Sequence, residues 1–360
     1  MDKRFSLYLD VVRFTAAVLV VLSHFVQHGL LGKVDSHPML LFGREAVIVF
    51  FVLSGFVIAY STSASRLSLS QYAAARGARI YSVVLPLVGA SFLLAGLAAL
   101  CCGFDVHNAY QLKKLHIYVP LHLLFMGEVW NLAETPPWLV QYWSLGYEVW
   151  YYVLFGLGYY LRGMRRAVWG GVALLVMGPK LWLLLPVWLA GAALYARQRN
   201  WALAVWQARA GCLATVALLI AYKYCGADLY LRELGISLWP FPFIKLGSAD
   251  RYLADYAVCI IVCLHFLCAR QAAFSAIEAL ARPIRALDSY TFTLYLVHEL
   301  VLGIWQQAHD SAAASWFDAV VLAAYIAAAT YACGFVTERR KQWYRQRFEA
   351  LCALGARRLA

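Results

Sequence analysis

Charge is scarce in this chain. Only 14% of its 360 residues are Asp, Glu, Lys or Arg, against about 25% in a typical soluble domain. With 63% hydrophobic residues and a mean hydropathy of +0.65, that shortage excludes an ordinary water-soluble fold. Internal repeats, low-complexity tracts and Gly/Ser linkers are also lacking, which argues against a solenoid and against a string of domains. No Cys-x-x-Cys pair occurs among the 9 cysteines, and most of them lie inside apolar runs. Neither a disulfide framework nor a metal centre is expected, and Cys259, Cys263 and His265 read as packing residues.

Long apolar runs are what the chain has. They occur at about 6–28, 39–60, 81–102, 143–161, 166–178, 181–196, 208–225, 252–269, 290–307 and 316–336, and a helix needs roughly 20 such residues to cross a bilayer. The expected fold is therefore all-α, a polytopic membrane protein of about ten transmembrane helices. Its domains are a membrane domain over 1–338 and a basic, lipid-facing tail over 339–360.

The net charge of +12 suggests nucleic acid only until the basic residues are placed. With the N-terminus in the cytoplasm, most Lys and Arg fall on the inner side, among them Arg66, Arg76, Arg79, Arg162, Arg165, Arg197, Arg270, Arg339 and Arg340. The positive-inside rule then puts both termini in the cytoplasm, and no nucleic-acid partner is expected. The same rule favours two spans over 166–196, broken near Gly178-Pro179-Lys180. Leu115–Met126 is short and interrupted by Pro120, so it reads as a re-entrant or interfacial segment on the outer side. The first run carries Asp10, Arg13 and His24 and no small-residue cleavage site, so it is expected to be retained as a span.

Ionisable residues inside hydrocarbon cost roughly 2.5–3.5 kcal/mol each by insertion scales, and so they need a partner, a cavity or a function. Arg13 and His24 are eleven residues apart, three turns and a little more, which puts both on one face about 16 Å apart along the axis. Asp10 lies three residues before Arg13 and can pair with it. The alternative is an Arg13 that snorkels to headgroups and a His24 that only bonds within the bundle. In Phe50-Phe51-Val52-Leu53-Ser54-Gly55-Phe56, Ser54 and Gly55 permit close helix approach. Arg76 and Arg79 share a face at the inner boundary, suited to clamping phosphate, although topology alone also puts arginines there. Glu148, about one turn into the fourth run, needs a cation, a histidine or water, and the proposed topology sets it at the depth of His24. His298 has an acid beside it at Glu299, and serves either as a bridge between helices or as a substrate contact.

Taken together, these motifs resemble the acyltransferase-3 family of integral membrane acyltransferases. Arg13 and His24 match its Arg-x10-His signature after a Leu-Asp. Residues 50–56 resemble its second-helix motif, Arg76 and Arg79 its Arg-x-x-Arg, Trp143-Ser144-Leu145 with Glu148 its Trp-Ser-Leu-x-x-Glu, and Tyr295 to His298 its Tyr-Leu-x-His. The chain departs from the pattern at Val149, where many members have a second Glu, and at Pro86, where the proline after Arg-x-x-Arg is displaced. No appended hydrolase-like domain is expected.

The resemblance implies transfer of an acyl group, usually acetyl, from cytoplasmic acyl-CoA to a hydroxyl of a cell-surface or exported carbohydrate, such as an exopolysaccharide or lipopolysaccharide unit. The setting would be the bacterial inner membrane. His24 and Glu148 would be catalytic, with Arg13, Arg76 and Arg79 binding the donor and Asp10, Ser54 and His298 supporting them. Acyl-CoA is then a substrate, and no cofactor is permanently bound. The other partners are a carbohydrate acceptor, lipid-linked or free, and membrane lipid. Direct transfer and an acyl-histidine intermediate both fit. The competing reading is a transporter or flippase for a lipid-linked saccharide, because intramembrane charges also line translocation pathways.

Overall fold

A computed structural model describes residues 2–31, 41–103, 106, 108–197, 202–309 and 315–358, without the side chains of Cys102 and of 351–358. In chain order the helices are α1 (Lys3–Gln27), α2 (Gly43–Ser65), α3 (Leu69–Leu97), α4 (Leu115–Leu123), α5 (Tyr142–Tyr160), α6 (Gly163–Met177), α7 (Pro179–Arg197), α8 (Val205–Tyr224), α9 (Ala227–Ser237), α10 (Tyr252–Ala269), α11 (Ala281–Asp288), α12 (Thr291–Ala308), α13 (Trp316–Val336) and α14 (Lys341–Arg358). There is no strand among the described residues. All-helical structure is what a bilayer demands of a chain that must satisfy its backbone internally.

Among the described residues, seven helical stretches are long and apolar enough to cross a membrane: α1, α2, α3 with its π-helical end to Cys101, α7, α8, α10, and Trp316–Ala350. The expected runs at 143–161, 166–178 and 290–307 form helices too, yet they fall short for physical reasons. Helix α6 has 15 residues, tyrosines dilute α5, and α12 carries Thr291, Thr293, His298 and Glu299. Between α6 and α7 the helix breaks at Gly178, whose φ of +76° favours glycine. At 9 residues, α4 is too short to span. Helix α3 starts well before Pro86, at a capping box in which Ser68 Oγ accepts from the Gln71 N–H and Gln71 Oε1 from the Ser68 N–H.

The chain divides into two compact units, one of Met1–Ala64 with Pro179–Thr291 and one of Ser65–Gly178 with Phe292–Ala360. In the first unit α10 packs on α7, α8 and α9. Helices α2 and α7 cross with their backbones in near contact: a Cβ on Gly55 would stand 2.0 Å from the Trp188 carbonyl oxygen, and one on Gly191 1.9 Å from that of Val52. The same approach lets Trp188 Nε1–H reach Ser54 Oγ at 3.2 Å. The Ser-Gly pair thus serves as the small-residue surface of a helix crossing.

In the second unit α3 packs on α5 and along α14. Phe348 of α14 lies against Gly77, where a Cβ would be 3.3 Å away, and stacks on Tyr81 with ring centroids 5.6 Å apart. Segment 108–141 is held by polar side chains. Gln111 Nε2 donates to Glu134 and to the Thr135 carbonyl, each at 3.0 Å, and Asn108 Nδ2 donates to that same carbonyl.

Candidate active site

Two helices of the second unit gather several of the expected site residues. Gly156 of α5 leaves room for Tyr72 of α3, because a Cβ at that glycine would stand 3.1 Å from the ring. Tyr72 therefore lies on α5 and donates its O–H to the Tyr152 carbonyl at 2.9 Å. That approach brings Arg76 within electrostatic reach of Tyr152, Arg79, Tyr72 and Glu148. Tyr152 sits one turn beyond Glu148 and donates its O–H to the Glu148 carboxylate. The fourth-run carboxylate and the arginine pair are thus joined through a tyrosine. Arg76 Nε is buried, with no hydrogen-bond partner among the described residues. Arg79 lies within reach of Glu338, whose carboxylate accepts the Thr293 N–H of α12 at 3.0 Å.

A second tie joins two of the motifs directly. Ser144, in the Trp-Ser-Leu stretch, shares a hydrogen bond of 2.8 Å with the Tyr295 hydroxyl of α12. Its own O–H also reaches the Gln141 carbonyl, so Tyr295 supplies the proton between the two hydroxyls when Ser144 bonds backward. One turn further, His298 is fully buried and its Nδ1 lies 3.0 Å from the Leu294 carbonyl. Its Nε2 is 3.8 Å from Glu299.

The first unit holds the remaining candidates. Arg13 meets Asp10 at 3.4 Å, but its closer partner is Asp288 at the end of α11, whose two carboxylate oxygens lie 2.6 and 2.8 Å from Nη1. The expected Asp10 pairing exists as the weaker arm of a two-acid cradle. His24 is 9% exposed near the end of α1, with the His28 ring 6.1 Å from its own. Ser23 beside it takes up the start of α2, where a Cβ on Gly43 would come within 2.8 Å.

Sequence reasoning missed three features. Tyr152 carries a local signal, since it stands four residues after Glu148 on the same helical face. Asp288 carries none, being distant in sequence from Arg13. The third is a buried ionic group: Lys223 bridges Glu45 and Asp228 at 3.2 and 2.6 Å, Arg251 meets Asp228 at 2.8 Å, and Arg44 pairs with Asp255. Burial pushes Asp228 up, but hydrogen bonds from Lys223 and Arg251 outweigh it and hold the carboxyl below its usual range. Each of these residues stands within about six positions of an end of an apolar run, a pattern visible once the runs are drawn.

His265 has both ring nitrogens bonded, to Tyr8 Oη at 2.6 Å and Thr215 Oγ1 at 2.7 Å. Cys259 lies 3.8 Å from the Val187 carbonyl, in keeping with packing roles for this group. In α4, His122 Nε2 bonds Gln111 Oε1 at 2.9 Å. Its Nδ1 is buried without a hydrogen-bond partner, and burial pushes the imidazole down to about 4.

An acyltransferase domain family, acyltransferase-3, matches residues 6–338, essentially the whole chain. The chain belongs to the acyltransferase-3 family. No curated protein and no solved structure matches it. As an acyltransferase-3 member with seven stretches able to cross a bilayer, it is an integral membrane acyltransferase. Within the second unit, Arg76, Arg79, Ser144, Glu148 and Tyr295 lie on three helices tied by side-chain hydrogen bonds and charge.

Proposed function

We propose that this acyltransferase moves an acetyl group from cytoplasmic acetyl-CoA to a hydroxyl of a cell-surface or exported carbohydrate, in a bacterial cytoplasmic membrane with both chain termini inside. The observation that carries the reading is the linkage of Arg76 to Glu148 through Tyr152 in a chain of this family: a phosphate-binding cation, a carboxylate and a positioning hydroxyl on adjoining helices. Guanidinium groups at Arg76 and Arg79 suit the donor's phosphates, because their forked N–H groups match phosphate oxygens. Arg13 commits Nη1 to Asp288 and Asp10, so it would offer the donor its remaining N–H groups.

In the proposed reaction the His24 imidazole, as general base, takes the proton of the acceptor hydroxyl as the oxygen attacks the thioester carbonyl. The C–S bond then breaks, and CoA leaves as a thiol after receiving that proton. Glu148 is the second catalytic group of the proposal, its carboxylate held by the Tyr152 hydroxyl. His298 and Ser54 support the helices from which these groups project.

The test is O-acetylation of surface and secreted glycan in a deletion strain complemented with wild-type protein or His24→Ala. Loss of O-acetyl groups, restored by wild type alone, is expected. Restoration by His24→Ala would remove His24 from the chemistry. Unchanged acetylation with loss of the glycan from the surface would favour a flippase.

A further inference from the structure

We propose that Tyr160 completes, with Arg76, a phosphate clamp for the donor; this rests on the acyl-CoA reading above. Tyr160 ends α5, and its ring lies 5.6 Å from that of Tyr72, the residue that pins α3 to α5. Its hydroxyl is covered and has no hydrogen-bond partner among the described residues. Arg76 acts on it electrostatically and itself has a buried, unpartnered Nε.

Two covered donors left unmade at neighbouring positions are costly for a fold, since each forfeits its water without replacement. A ligand that offers several acceptor oxygens and no proton of its own satisfies both. The residues around them select its charge. Arg76 and Arg79 are cations, while the Glu148 carboxylate, earlier on α5 than Tyr160, is held by the Tyr152 hydroxyl. Tyr72 spends its hydroxyl on the Tyr152 carbonyl and acts as a strut. An anion bearing phosphate oxygens fits this arrangement, and its two sources are the donor's phosphates and an anionic lipid headgroup. We assign the donor.

Purified protein in phosphatidylcholine nanodiscs separates the outcomes. Tyr160→Phe removes one oxygen and leaves the ring on Tyr72. The expected result is a KM for acetyl-CoA raised roughly tenfold, kcat within about twofold, and an unchanged KM for acetyl-pantetheine, which has no phosphate. CoA affinity measured by calorimetry should fall by a similar factor, a readout that does not depend on turnover. Equal CoA affinity in the two proteins overturns the clamp, even if the transfer reaction itself is not observed. Equal KM increases for both donors overturn it as well, because they signal a distorted site. A difference between wild type and variant that appears only when phosphatidylglycerol is added assigns the phosphate to lipid and overturns the donor assignment. A wild-type protein that binds CoA but transfers nothing would sink the proposed reaction while leaving the clamp measurable.

Discussion

At the scale of single residues, Arg13 shows how an intramembrane cation is made tolerable. Its side chain is 14% exposed, that of Asp288 20% and that of Asp10 18%, so the three form a largely shielded group. Removing the arginine leaves two carboxylates facing each other with their cation gone, which costs more than the pair itself contributes. Arg13→Ala is therefore expected to destabilise the protein by about 3 kcal/mol, read as a lower Tm in detergent. Arg13→Met with Asp288→Leu should recover much of that loss. A single variant with normal Tm and weakened CoA binding would instead assign Arg13 to the donor alone. The i, i+3 spacing made Asp10 visible in the sequence. Asp288 was hidden because its partner is 275 positions away, and no local pattern encodes that meeting.

At the scale of elements, segment 108–141 ties its stability to pH through His122. The neutral ring donates from Nε2 to Gln111 and keeps Nδ1 bare in a buried place, so protonation would put an N–H where no acceptor stands. The folded group sits at about 4, below the unfolded value near 6.5. Between those two values the unfolded state binds more protons, so stability is intact above about 6.5 and falls as pH drops toward 4. Hydrogen exchange of 108–141 in nanodiscs should accelerate over that window, and His122→Gln should flatten the dependence. Exchange that does not change between pH 7 and pH 4.5 would refute the coupling. Among the helices, periodic apolar runs made α1, α2, α3, α7, α8, α10 and α13 legible. The sequence concealed the role of Tyr152, since an aromatic near a span end reads equally well as an interfacial anchor.

At the scale of the whole molecule, the distribution of Lys and Arg predicts which ends face the cytoplasm. Single cysteines placed in a background free of native cysteines test it: an impermeant maleimide should label position 110 in intact cells, and positions 3 and 345 only after lysis. The reverse pattern would overturn the orientation and, with it, delivery of the donor from the inside. Much of the candidate site was legible because Glu148 and His298 are out of place in lipid and because Arg76 and Arg79 share one helical face just before the third apolar run. The links among them were not, because they run through hydroxyls of Tyr152, Ser144 and Tyr295, residues unremarkable at a membrane boundary. The crossing of α2 and α7 also bears on time. Gly55 meets the backbone at Trp188, and Gly191 the backbone at Val52, and a ribosome adds roughly 5–20 residues per second. Once made, α2 waits on the order of ten seconds for its partner. During that interval its bare glycine face is open to lipid tails, insertion machinery or a wrong helix, which makes the rate of translation through this stretch a determinant of how much of the enzyme assembles.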